Sequence, residues 1–168
     1  MLLALDIAFA SMGWAVVENG RVIECGTIKT QKSKNKQTRV SDDRAWRCAQ
    51  IAQKLGEVID AYRVDAVVGE LPSGSQNAAA CSMLGLAVGV VVGVTESHGL
   101  PAEWISPTSA KKAAVGRRSA SKAEMMDWCR REHPYFAFPK VKCEFEHIAD
   151  AIAAYNGLKP GNLVKVFG

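Results

Sequence analysis

Apolar and polar positions divide the chain into alternating strand and helix patterns. Leu2 to Ile7 is a short apolar run interrupted only by Asp6, as expected of a buried central strand. Trp14 to Glu18 reads as a second strand. Asn19-Gly20 then gives a strong hairpin signal, and Arg21 to Lys29 returns as a third strand. From Ser41, which can cap a helix, Ala45, Cys48, Ile51, Leu55, Ile59 and Tyr62 recur at helical steps. "VDAVVGEL" is a buried strand carrying Glu70 near its end, followed by the loop "PSGSQN". Ala78 to Thr95 is an uncharged, largely apolar helix with Gly85, Gly89 and Gly93 on one face. "PAEWIS" is a fifth strand, and Pro107 suits the first turn of a short helix. "GRRSASK" is a turn, Ser121 to Glu132 a helix, and "HPYFAFPKVKCE" an irregular connector. "FEHIADAIAAY" is the last helix, stopped by Asn156-Gly157. This order predicts an α/β fold: a mixed five-stranded sheet, part antiparallel meander and part parallel crossovers, flanked by helices. Residues 1–158 form one domain in this reading, with 159–168 a loosely held tail.

The length of 168 residues suits a single core. A hydrophobic share of 48% and a charged share of 23% are ordinary for a globular domain. A net charge of +4 permits a nucleic-acid partner without requiring one. Five scattered cysteines with no CxxC argue against a disulfide framework or zinc cluster, and fit a reducing cytoplasm. The first residues, "MLLALDIAFA", lack the basic region of a signal peptide. Ala78 to Thr95 is long enough to span a bilayer. Its Gly and Ala content and its missing Lys/Arg flanks favour a buried helix instead, and no membrane partner is expected.

Several polar residues then need an explanation. Asp6 and Glu70 each interrupt an apolar strand, where an unpaired carboxylate is costly. Adjacent parallel strands could bring them side by side. His147 and Asp150 lie three apart on the last helix, along a stripe with Ala151 and Ala154 that permits close approach to a sheet. Together the four make a ligand set suited to Mg²⁺ or Mn²⁺, and two such ions can clamp the attacking and leaving oxygens of a phosphodiester. Glu144 and Glu146 could compete with His147 as ligands. Solvent-exposed strand-end acids and a solvated helix edge are the plainer alternatives. The run "KTQKSKNKQTR", with Lys32, Lys34, Lys36 and Arg39, reads as a flexible basic loop. It is either a solvated linker or a phosphate-contacting arm.

With these residues in place the chain resembles the RuvC-type Holliday-junction resolvases of the RNase H-like superfamily. The likeness rests on "LALDIAFASMGWAVV", "VVGEL", "WISPTSAKKAAVGRRSASKAEM" and "HIADAI", and includes the possibility of a phage-type member. It implies that Asp6, Glu70 and Asp150 are catalytic acids and metal ligands, and that His147 stands where most members carry another aspartate. It implies that Lys122 is catalytic, and that Lys111 and Lys122 contact phosphates, with Lys112, Arg117 and Arg118 nearby. The expected activity is metal-dependent resolution of four-way DNA by paired nicks leaving 5′-phosphate ends. A homodimer would perform it with two Mg²⁺ or Mn²⁺ ions per site, in the cytoplasm of a bacterial or phage-infected cell. Imidazole in place of carboxylate should favour Mn²⁺. Two departures stand out. Ser73 occupies the place of a stacking aromatic, and in "DIAFASMG" the loop after Asp6 has no glycine before Gly13. A general branched-DNA nuclease, a ribosomal-RNA-processing nuclease and a non-catalytic junction binder therefore remain as alternatives. An actin-like ATPase half would need a phosphate loop and a second domain.

Overall fold

The computed structural model describes residues 1–71 and 77–158. Ser73 and the predicted tail 159–168 lie outside the described residues. The five strands are β1 (Leu2–Asp6), β2 (Ser11–Glu18), β3 (Arg21–Lys29), β4 (Ala66–Glu70) and β5 (Ala102–Ile105). They form one sheet in the order β3-β2-β1-β4-β5. β1, β2 and β3 are the expected antiparallel meander, and β4 and β5 run parallel to β1 and to each other. At the β2–β3 turn Asn19 and Gly20 both take positive φ, at 49° and 78°. That backbone matches the right-handed twist of the flanking strands.

Among the described residues five helices cover the sheet: α1 (Val40–Tyr62), α2 (Ala78–Ser97), α3 (Pro107–Val115), α4 (Lys122–Glu132) and α5 (Lys142–Gly157). Side-chain alternation along the strands assigns the two faces. Leu3, Leu5, Ile7, Met12, Val16 and Val67 pack with Ile51, Leu55 and Ile59 of α1 and Ala87 and Val91 of α2. Leu2, Ala4, Ala66 and Val68 pack instead with Ala154 of α5, while Ala15 and Val17 meet Phe145, Ile148 and Ile152 of the same helix. Small strand residues on this face let α5 lie close to the sheet.

Three expectations need correction. The α2 helix is not buried: only 17% of its apolar window is covered, and it passes a length-and-composition test for a membrane span. It packs along one side through Ala87, Val91 and Thr95, while Leu86 and Val92 stay exposed and, among the described residues, nothing lies within 4 Å of a Cβ at Gly85, Gly89 or Gly93. Ser41 does not cap α1. The helix starts after Arg39 with no side-chain cap, and Asp43 instead accepts the Ser33 N–H at 2.6 Å. The last helix ends at Gly157, as the Asn156-Gly157 pair predicts, and the Asn156 amide donates to the Ala113 carbonyl at 2.8 Å. The basic loop is folded rather than loose. Ser33 and Thr38 share a 2.8 Å hydroxyl bond, and Gln50 exchanges hydrogen bonds with the Gln31 backbone.

The tightest helix–sheet contact is at Gly13. A Cβ there would sit 2.2 Å from the His147 carbonyl oxygen, an atom held in helical backbone that cannot swing aside. Gly13→Ala should therefore lower stability by about 1–3 kcal/mol, as overpacking does, measured as a lower urea midpoint. An unchanged midpoint would rule out the close approach.

Candidate active site

The alternation that builds the core also sorts the acids. In β1, Asp6 follows Leu2 and Ala4 onto the α5 face, and in β4, Glu70 follows Ala66 and Val68 onto the same face. β1 and β4 pair in parallel with Asp6 opposite Glu70. Neighbouring strands are roughly 4.8 Å apart, so the two carboxylates leave adjacent points of one surface. Both sit at the C-terminal ends of parallel strands, where open α/β sheets place their ligands.

The α5 helix supplies the other two groups. Gly13, the β2 partner of Asp6, lets the backbone of His147 rest directly on the sheet. There the His147 Nδ1 lies 2.7 Å from Asp6 Oδ2. Asp150 is three residues on, on the same side of the helix.

The electrostatics show that these groups sense one another. Glu70 is 7% exposed, and burial pushes its carboxyl up to about 8, with the charges of Asp6 and Asp150 adding to the rise and Lys111 opposing it. Burial, then the Asp6 charge, pushes Asp150 up to about 6, against Lys111, Lys122 and His147. The hydrogen bond to Asp6 holds the His147 imidazole above its ordinary value despite partial burial. Lys111 on α3 thus faces the acids. Lys122, at the start of α4, is raised first by its 2.8 Å bond to Glu146 and further by Asp150 and Asp6.

The remaining predicted residues fall into separate places. Arg117 pairs with Glu124, which also forms a capping box with Ser121 at the start of α4. Lys112 and Arg118 are exposed on the α3–α4 side. Lys32 and Lys36 line a cleft against α1, Lys34 is exposed on the same loop, and Arg39 bonds Asp42 at 2.7 Å. Glu144 and Glu146 are drawn to Lys29 and Lys122, while His147 turns to Asp6.

Carboxylates and an imidazole are donors of the kind that hold Mg²⁺ or Mn²⁺. Two acids raised first by burial and then by the charge of Asp6 suit a divalent cation, so the donor set fits such an ion. The expected ligand cluster is not preassembled, however. Among the described residues no three His, Cys, Asp or Glu side chains are grouped to hold a metal. The His147 ring instead spends a nitrogen on Asp6. Sequence reasoning missed Gly13, whose signal is a glycine inside a strand, a frequent mark of close backbone approach. It also missed Arg44 and Arg47, which line the cleft beside the basic loop. They were hidden in the helical pattern of α1.

Known proteins agree with this geometry. The family model described as crossover junction endodeoxyribonuclease RuvC matches residues 2–155. The protein of that name from Nitratidesulfovibrio vulgaris strain Hildenborough is 28% identical over 128 residues, covering 74% of this chain and 72% of the relative. The one from Rhizobium johnstonii is 25% identical over 156 residues, covering 90% and 85%. In fold, the chain is similar to T. thermophilus RuvC solved in complex with a Holliday junction substrate. The TM-score is 0.72 at 22% identity, covering 93% of this chain and 90% of that one. The yeast mitochondrial Holliday junction resolvase Ydc2 gives a TM-score of 0.55 at 12% identity, covering 93% and 76%. A family match over nearly the whole described chain, on a sheet that sets Asp6 beside Glu70, means that this protein belongs to the RuvC family of crossover junction endodeoxyribonucleases.

Proposed function

We propose that this chain hydrolyses phosphodiester bonds at four-way or branched DNA junctions, working as a homodimer in which each subunit nicks one strand and leaves a 5′-phosphate end. The observation that carries the reading is the registered Asp6–Glu70 pair under His147 and Asp150, flanked by Lys111 and Lys122. Asp6, Glu70, Asp150 and His147 would hold Mg²⁺ or Mn²⁺, with the imidazole favouring Mn²⁺. When bound, the metal supplies Lewis-acid stabilisation of charge at the scissile phosphate and eases deprotonation of water. Lys111 and Lys122 face the acids and would orient the phosphate and offset its developing charge. Glu146 holds the Lys122 ammonium at the rim of the site. Five scattered cysteines with no CxxC fit action in a reducing cytoplasm of a bacterial or phage-infected cell.

The exposed apolar face of α2 supports the dimer. A helix this apolar with little cover from the described residues exposes a patch suited to a partner. Its open glycines would let an identical helix approach closely.

Three outcomes test this reading. Asp6→Asn and Glu70→Gln should each abolish metal-dependent cleavage of a four-way junction in single-turnover assays while retaining junction binding; normal cutting by either would sink the assignment. A panel of junctions, forks, flaps and RNA would define the substrate range.

The second concerns pH. The folded-state values of Glu70 and Asp150 lie above their unfolded ones, so the folded protein binds more protons between about pH 4.5 and 8 and between about pH 4 and 6 respectively. His147, also raised, adds stability below its unfolded value that is lost as pH rises through the folded one. All three signs agree. Metal-free protein should lose stability from pH 4.5 to 8 in urea titrations, Glu70→Gln should flatten that loss, and Mn²⁺ at pH 8 should offset it. A stability that rises over this range would contradict the buried-acid picture.

The third concerns assembly. Leu86→Glu places a charge on the exposed α2 face and should convert a dimer to a monomer by light scattering. An unchanged mass would move the interface elsewhere.

A further inference from the structure

We propose that the cleft between the lysine-rich loop and α1 is a second phosphodiester site, holding the backbone of a junction arm as it leaves the cleavage centre. The proposal rests on the reading of the chain as a junction nuclease.

The cleft has a volume of about 440 Å³, and Lys32, Lys36, Arg44 and Arg47 line it with, among the described residues, a single acid, Asp43. That acid is already engaged, because its Oδ1 accepts the Ser33 N–H at 2.6 Å and so fastens the loop to the helix. The loop is a built wall. Asn35 N–H donates to Ser33 Oγ at 3.2 Å, Gln37 N–H donates to Asn35 Oδ1 at 2.9 Å, and Ser33 meets Thr38. The lysines are therefore presented from an ordered scaffold, which reduces the entropic cost of binding.

The floor is equally fixed. Arg47 is buried, with its guanidinium carbon 4.3 Å over the Phe9 ring and its Nε donating to Thr30 Oγ1 at 2.8 Å. Thr30 Oγ1 in turn donates to the Phe9 carbonyl at 2.8 Å. Phe9 stands three residues after Asp6, so a short tether joins the floor of the cleft to the catalytic strand. Arg44 gives a separate indication. Its Nε is buried and has no hydrogen-bond partner among the described residues. A buried donor of a charged group left unpaired is costly, and an anionic oxygen in the cleft is the partner it calls for.

Placement identifies the anion. β1 ends at Asp6 on the edge of the sheet where β3 ends at Lys29, because Asp6 registers with Gly13, Gly13 with Thr27, and Ser11 with Lys29. The cleft and the acids therefore open along one edge, on opposite faces of the sheet. Lys111 and Lys122 serve the scissile phosphate, and the cleft offers a second set of cations to the same polyanion. Among the described residues no aromatic side chain lines it, so it grips backbone rather than stacking bases.

The test measures junction binding with divalent ions chelated, so that no strand is cut, across a salt series. Lys32→Gln/Lys36→Gln alters only exposed side chains, and Arg44→Gln removes the orphan donor. Removing one cation from a phosphate should reduce the slope of log affinity against log salt by about 0.9. On that scale the double variant should show a slope smaller by about 2 and the single variant by about 1. Wild-type slopes in both variants overturn the cleft while leaving the nuclease reading intact. A wild type that neither binds nor cuts branched DNA overturns that reading and this site with it. Unchanged slopes, with inorganic phosphate displaced from the wild type by neither DNA nor salt, would mark a free-ion site and also refute the proposal.

Discussion

The carbonyl of His147 sits over the backbone of Gly13, and that contact sets the height of α5 above the sheet. A longer separation would leave His147 and Asp150 out of reach of Asp6 and Glu70. Small residues at Ala4, Ala15 and Ala66 beneath, and at Ala151 and Ala154 above, extend the close approach along the helix. The packing is thus part of the chemistry. A helix riding on small side chains delivers two polar groups to a pair of acids that sheet register has already placed together.

Closeness has an electrostatic cost. Burial, and then the nearby charge of Asp6, holds Glu70 and Asp150 well above the usual carboxylate range, a condition that opposes folding at neutral pH. The surroundings offset it in part. Lys111 reaches the site from α3 and Lys122 from α4, while His147 shares a hydrogen bond with Asp6. Lys122 is itself held by Glu146, so a cation needed at the rim is kept from collapsing into the centre. Strain of this kind is common where function requires charges that stability alone would not gather.

Much of this was legible in the sequence because the signals are local. An aspartate in an apolar strand, a glutamate ending another, a histidine and aspartate three apart, and an Asn-Gly turn each declare themselves within a few residues. What escaped detection depends on distant partners. The apolar α2 reads as a core helix because composition cannot say whether its cover comes from the same chain. The basic run reads as loose because its order comes from Asp43 and Gln50, on a helix further along the chain. Ser41 has the chemistry of a cap but not the position. Glu146 reads as a competing ligand because its bond to Lys122 is not visible along the chain, and among the described residues the four expected donors stand as a hydrogen-bonded His147–Asp6 pair beside two acids with raised carboxyls.

Gly13 also bears on how loss-of-function data for this family member should be interpreted. It carries no functional group and offers nothing to a nucleic acid, yet any side chain at that position meets the helix that carries His147 and Asp150. A mutational scan scored on activity would rank it with Asp6, its neighbour across the strand pair. Intolerance to substitution at this centre therefore reports spacing as well as chemistry, and the two separate only when folding is measured alongside turnover.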